Sequence, residues 1–291
     1  MASALKPKAG APPVEPTLDE RELEEIELQL LMEAMRWASG GDYRESNQPV
    51  LRRRIAERMR AEGSATISAL QDRVLHDRSA FVRFVIAMSE GPRELFLAPE
   101  FFAAVLANVV PLLKTYSFVR IWFPAVGLGE DAYALACLLA DVGLLDRCVI
   151  YATSTSNAGV DVAKEGAYPI VSEQAFRAAL RRAGIAGDAA RFADIQADVV
   201  VFKPYLREAL MFARHNAASD ASINEFHAIV ARNVLPLYNA TAQYRMHRLI
   251  FASLARLGFL CLGPGETLAG SVHEGAFRQV VSDQPIYRRM R

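Results

Sequence analysis

Few cysteines, no excess of charge and no long apolar run set the first limits on this chain. Cys137, Cys148 and Cys261 lie far apart among apolar neighbours, and no CxxC pair occurs. That argues against a disulfide framework or a thiolate metal site and for buried, reduced thiols in a cytoplasmic protein. The histidines His76, His215, His227, His247 and His273 show no metal-ligand spacing, so no metal is expected. Lysine plus arginine (33) equals aspartate plus glutamate (33). A net charge of zero gives no whole-molecule attraction to nucleic acid or membrane, and leaves only local recognition. No apolar stretch approaches the roughly 20 residues of a membrane span. The opening, Met1 to Pro16, has no apolar signal-peptide core; rich in Ala, Pro and Lys, it reads as a disordered tail. No internal repeat is evident.

What is present suffices for one large core and one small one, since 52% of the 291 residues are hydrophobic. Thr17 followed by Glu20 fits a capping box. Leu23, Ile26, Leu30 and Trp37 then recur at steps of three, four and seven, predicting an amphipathic helix that Gly40-Gly41 ends. Three more short helices follow, with stripes Leu51, Ile55, Met59; Ile67, Leu70, Val74; and Phe81, Phe84, Val85, Met88. Together they make a small helical domain over 17–89, joined by a linker, 90–98, to an α/β domain over 99–291. In the latter, strands are expected at Phe118–Phe123, Val149–Thr153, Phe226–Ala231 and Phe259–Gly263, with a closing pair at Phe277–Ser282 and Pro285–Arg289. Helices separate the first four, which predicts a doubly wound, mostly parallel sheet with its binding crevice at the strands' carboxyl ends. The segment from Val171 to Asp198 reads as two helical stretches that cover a sheet edge or form an insertion.

Several stretches carry a resemblance. The run Leu51 to Arg60 is a basic helix with five arginines. Pro99-Glu100-Phe101-Phe102, then Arg120-Ile121-Trp122 with Gly129-Glu130-Asp131 and Tyr133, follow it. Ala152-Thr153 leads to Gly166-Ala167-Tyr168-Pro169. Lys203-Pro204, His215-Asn216, Arg232-Asn233-Val234-Leu235, Leu262-Gly263 and Glu266-Thr267-Leu268 complete the order. This ordered set, from about Gly40 to Arg289, resembles the CheR-type chemoreceptor methyltransferases. The resemblance implies a Rossmann-like S-adenosylmethionine-dependent methyltransferase fold behind a small all-α domain. It implies methyl transfer from S-adenosylmethionine to glutamate side chains. Such a substrate is already ionised at neutral pH, so the demand is mainly in-line positioning. It also implies docking of the basic helix, through Arg53, Arg54, Arg58 and Arg60, on an acidic helical partner such as a chemoreceptor signalling domain. Cofactor contact is expected at Gly129, Glu130, Ser154, Asn216 and Arg232.

The departures fall where that family holds the donor. Its first turn, roughly GxxxGEExYS, reads Ala125 to Ala134 here, with Ala125 for the first glycine and bulky Phe123, Pro124 and Leu128 nearby. Its second strand ends in ATDID; here Ala152-Thr153-Ser154-Thr155-Ser156 places Ser154 where an acid would accept from ribose hydroxyls. Its linker ends in FFR; here Leu95-Phe96-Leu97 has no guanidinium. Its NVLIYF tyrosine aligns with Leu237, one residue before Tyr238. A hydrogen bond to a charged group contributes about 1.5–3 kcal/mol, so losing two would move a micromolar site toward millimolar. Two readings follow. One is a CheR-like protein with impaired or lost catalysis and no cofactor, acting as a binding or regulatory partner in chemosensory-type signalling. The other is an active S-adenosylmethionine-dependent protein-glutamate O-methyltransferase.

Plainer readings stand beside these. The arginine run alone fits a solvated helix face, and a single basic run makes a small footprint for nucleic acid. Glu130 and Asp131 fit dipole complementation at a helix start. Ser154 to Ser156 fit N-capping, and Arg232-Asn233 a structural turn.

Overall fold

A computed structural model describes residues 18–89, 94–196 and 198–291. The expected tail 1–16 and residues 90–93 of the expected linker lie outside them.

Four helices come first: α1 (Glu20–Ser39), α2 (Gln48–Glu62), α3 (Ile67–His76) and α4 (Arg78–Met88). Asp19 caps α1 in a capping box with Glu22. The box thus sits two residues beyond the expected Thr17–Glu20 pair. Gly40, at φ +73°, ends the helix as expected. The buried stripe of α1 differs from the expected one. Leu28, Leu31 and Met35 pack on Leu51, Ile55, Leu70, Val74 and Phe84, while Leu23, Ile26, Leu30 and Trp37 face outward. The helix carries two apolar stripes on opposite sides, and periodicity cannot say which one the neighbouring helices cover. Within the unit, Glu62 is buried and accepts from Arg83 at 2.7 and 2.9 Å, with Arg58 and Arg73 beside it.

Next come α5 (Pro99–Asn108), α6 (Val110–Leu113), β1 (Val119–Phe123), α7 (Glu130–Asp141), β2 (Cys148–Ser154), α8 (Asn157–Glu165), β3 (Ala167–Pro169), α9 (Glu173–Arg182), α10 (Ala189–Phe192), β4 (Ala193–Gln196), β5 (Val199–Phe202), α11 (Pro204–Glu208) and β6 (Leu210–Arg214). The chain closes with β7 (Phe226–Ala231), α12 (Ala240–Ser253), β8 (Leu254–Leu262), β9 (Phe277–Val281) and β10 (Gln284–Arg289). The large sheet has the order β6-β2-β1-β7-β8-β10-β9. Its first five strands are parallel and the last two form an antiparallel hairpin. Strands buried on both faces read as apolar runs, and β1, β7 and the Gly258 to Leu262 half of β8 are such runs.

The segment 171–198 is not purely helical. It supplies α9, α10 and β4, and β4 joins β3 and β5 in a small antiparallel sheet, order β3-β5-β4. Phe176, Leu180, Phe192 and Phe202 bury this unit against the main core. The end of the expected linker is likewise packed: Leu95 and Phe96 belong to that core.

Candidate functional site

The strand order reverses at β1, whose neighbours are β2 and β7, and doubly wound sheets form their crevice there. The turn after β1 runs from Pro124 into α7. Gly127 and Gly129 hold φ +64° and +102°, which glycine adopts without steric cost. A Cβ on Gly129 would stand 2.7 Å from Tyr168 Oη. That hydroxyl donates to the Leu128 carbonyl at 2.6 Å, and Val126 N–H donates to Thr153 O at 2.8 Å. Every residue from Ile121 to Ala140 is buried, the whole turn included.

Asp131 lies in the first turn of α7, where a carboxylate complements the helix dipole. Arg232, just past β7, donates from Nη1 to both of its oxygens at 2.9 Å. Nη2 donates to Leu97 O at 2.8 Å, and the guanidinium lies 4.1 and 5.3 Å from the Phe101 and Phe102 rings. Burial pushes the Asp131 carboxyl above its ordinary range, against the opposing charge and hydrogen bonds of Arg232. Leu97 is flanked by Phe96 and Ala98 at φ +57° and +52°. Such backbone is rare for non-glycine residues and persists where surrounding packing holds it.

Ser154 ends β2. Its Oγ accepts from Ser156 N–H at 3.4 Å, and its carbonyl from His215 N–H at 3.0 Å. Ser156 caps α8 by accepting from Gly159 N–H at 3.3 Å, and donates to Ser39 O at 3.4 Å. Asn216 serves its own turn: Oδ1 accepts from Ala218 N–H at 2.9 Å, and its N–H donates to Asp220 at 2.8 Å. Glu266 accepts from the N–H groups of Gly263, Asn233, Val234 and Leu235. Burial raises its carboxyl although those four bonds oppose the shift.

The helical unit closes over these strand ends. Asn47 N–H donates to Leu237 O and Asn239 N–H to Glu45 O, both at 2.8 Å, and Arg214 donates to Gly40 O at 3.2 Å. Arg245 pairs with Glu45. Between the units remains a cavity of about 30 Å³, walled by Tyr43, Arg54, Met88, Ser154, Thr155 and Tyr238 among others. That is room for roughly two water molecules.

Two family descriptions match the chain. "CheR methyltransferase, SAM binding domain" matches residues 93–285, and "CheR methyltransferase, all-alpha domain" matches residues 26–89. The chain belongs to the CheR methyltransferase family. A Pseudomonas putida protein named methyltransferase Cher3 is 34% identical over 265 residues, which is 91% of this chain and 97% of the relative. A chemotaxis protein methyltransferase of Listeria innocua is 27% identical over 162 residues, covering 54% of this chain and 57% of its own. Among solved structures, an S-adenosylmethionine-dependent methyltransferase from Geobacter sulfurreducens aligns with a TM-score of 0.33 and 13% identity, over 62% of this chain and 54% of that one.

The CheR family implies S-adenosylmethionine, and the residues at the strand ends do not fit it. The turn after β1 is buried, and the cavity beside Ser154, which that turn does not line, holds about 30 Å³, far below the roughly 300 Å³ at which ligand pockets begin. Ser154 offers a hydroxyl in place of a carboxylate, and Asp131 is held by Arg232. Of the expected contact residues, Gly129, Glu130, Ser154 and Arg232 gather around the crevice, while Asn216 is occupied in its own turn. Glu130 opens α7 and is buried. Phe123 and Leu128 are buried, and Tyr238 pairs by backbone with Ser46.

The sequence reading missed the Asp131–Arg232 pair and the Glu266 cap. An acid at a helix start and an arginine at a strand end 101 residues later carry no local sign of each other. On α2, Arg53 and Arg60 are exposed. Arg54 instead donates to the Ser89 and Met88 carbonyls at 3.0 and 3.3 Å, and Arg58 pairs with Glu62 at 3.1 Å. Among the described residues no helix is long and apolar enough to cross a membrane, and no His, Cys, Asp and Glu cluster could hold a metal.

Proposed function

We propose that this CheR-family protein has impaired or lost methyl transfer and acts in the cytoplasm as a binding or regulatory protein in chemosensory-type signalling. One observation carries the reading. The crevice where a donor would lie is closed, with Arg232 Nη1 held by Asp131 and Nη2 by the Leu97 carbonyl, and with Ser154 offering no carboxylate. A partner would meet the chain on the outer face of α2 through Arg53 and Arg60, which favours an acidic helix such as that of a chemoreceptor signalling domain.

The second reading, an active protein-glutamate O-methyltransferase, is favoured by the retained turn, with Gly127 and Gly129 at positive φ leading into Glu130. Calorimetric titration with S-adenosylhomocysteine separates the two. No heat of binding up to about 1 mM is expected, a standard free energy weaker than about 4 kcal/mol. Micromolar binding would overturn the regulatory reading and establish the second.

A further inference from the structure

The outward face of α1 holds Leu23, Ile26, Leu30 and Trp37, exposed by 49, 41, 56 and 78%. Their spacing, with Glu33 between the last two, is the alternating three-four step of a coiled-coil seam over two heptads. The opposite side of the same helix is already packed by Leu28, Leu31 and Met35, so Ile26, Leu30 and Trp37 are surplus to the helical unit, while Leu23 borders a groove shared with Ile55, Met59 and Ile67. A soluble helix ordinarily shows one apolar stripe to its core and polar residues elsewhere. In the heptad set by Leu23 and Ile26, the flanking positions are Glu20, Glu22, Glu27, Gln29, Ala34 and Arg36. Three acids and one base border the seam; Arg36 is paired with Glu33, Glu22 closes the capping box and Glu27 accepts from Ser68 N–H, yet the three carboxylates leave the border acidic. Flanking charge of this kind selects the partner helix. In a parallel pair, a second copy of this chain would bring Glu22 of one helix to Glu27 of the other.

We infer that the outer face of α1 is a docking seam for a basic amphipathic helix of another protein, one with apolar residues at the seam positions and Lys or Arg beside them. This surface is separate from α2 and does not rest on whether the chain binds a donor.

The test uses the full chain and two synthetic three-heptad peptides, both with leucine at the seam positions. One carries lysine on the flanks and the other glutamate. Trp37 is exposed and Trp122, the other tryptophan, is fully buried, so a shift of tryptophan emission to shorter wavelength reports on the seam. The lysine peptide is expected to bind and give that shift, and the glutamate peptide to bind at least about tenfold more weakly. Leu30→Glu should weaken the lysine peptide by about tenfold or more, as loss of a central anchor does. Mere charge attraction would be strengthened by the added acid. Equal binding of the two peptides, undiminished binding to Leu30→Glu, or a dimer of this chain that Leu30→Glu dissolves would each overturn the inference.

Discussion

Replacing Arg232 with methionine separates a structural arginine from one kept for a ligand. The guanidinium is 1% exposed and the Asp131 carboxylate 4%, so neither can turn to water when the other is removed. In Arg232→Met the lone carboxylate escapes its burial by taking up a proton. Its ordinary value is 3.8 and burial already drives it upward. Keeping it protonated at pH 7 while the unfolded chain ionises costs about 1.4 kcal/mol per unit, roughly 4 kcal/mol in all. At pH 5 the same step costs about 1.5 kcal/mol. The sign follows from the raised folded value: below the unfolded pKa both states hold the proton and the penalty vanishes, and it grows as pH rises. Asp131→Asn behaves differently, because the stranded arginine cannot shed its charge. Breaking a buried pair from that side costs about 3–5 kcal/mol at both pH values. The double variant Asp131→Leu with Arg232→Met removes both charges, so it should regain most of either loss. Urea denaturation at pH 5 and pH 7, followed by circular dichroism and referred to the parent chain at each pH, reads all three. A penalty for Arg232→Met that is the same at both pH values would refute the reasoning, as would an additive double variant.

Two further outcomes concern the helical unit. Glu62→Gln should lower stability by about 2 kcal/mol at pH 7, since it weakens charged hydrogen bonds to a side chain 3% exposed. The Arg83 hydrogen bond, then the charges of Arg58, Arg83 and Arg73, hold this carboxyl below its ordinary 4.5. Its contribution is therefore present above that value and fades as pH falls through the folded one, so melting curves of variant and parent should converge in acid. On the outer face of α2, Arg53→Glu with Arg60→Glu should abolish capture of an acidic receptor-like helix while leaving the melting temperature within about 2 °C. Arg54→Ala should instead lower the melting temperature, because its guanidinium ties α2 to the end of α4. Unchanged capture by the first variant would count against α2 docking.

The sheet was legible where burial on both faces forces apolar runs, as in Val119–Phe123 and Phe226–Ala231. It was less so at its rims. Leu210–Arg214 is an edge strand made of Leu, Met, Phe, Ala and Arg, mostly good helix formers, and its place beside β2 comes from long-range pairing. Val199–Phe202 reads VVVF, a β-branched run that could have revealed β5 and with it the small sheet. The α1 helix shows the limit of periodicity: both stripes fit, and only the positions of α2 to α4 decide that Leu28, Leu31 and Met35 go inside. At the crevice the sequence exposed the missing groups, Ser154 for an acid and Leu97 for an arginine, because those are single-residue facts. It could not expose what replaced them. The Leu97 side chain brings no charge, yet its backbone carbonyl takes a hydrogen bond from Arg232, whose charge comes from a different strand and is balanced by Asp131. Loss of one guanidinium from the linker thus does not empty the crevice of positive charge. It leaves that charge fixed on Arg232, between a helix-start carboxylate and two phenylalanine rings.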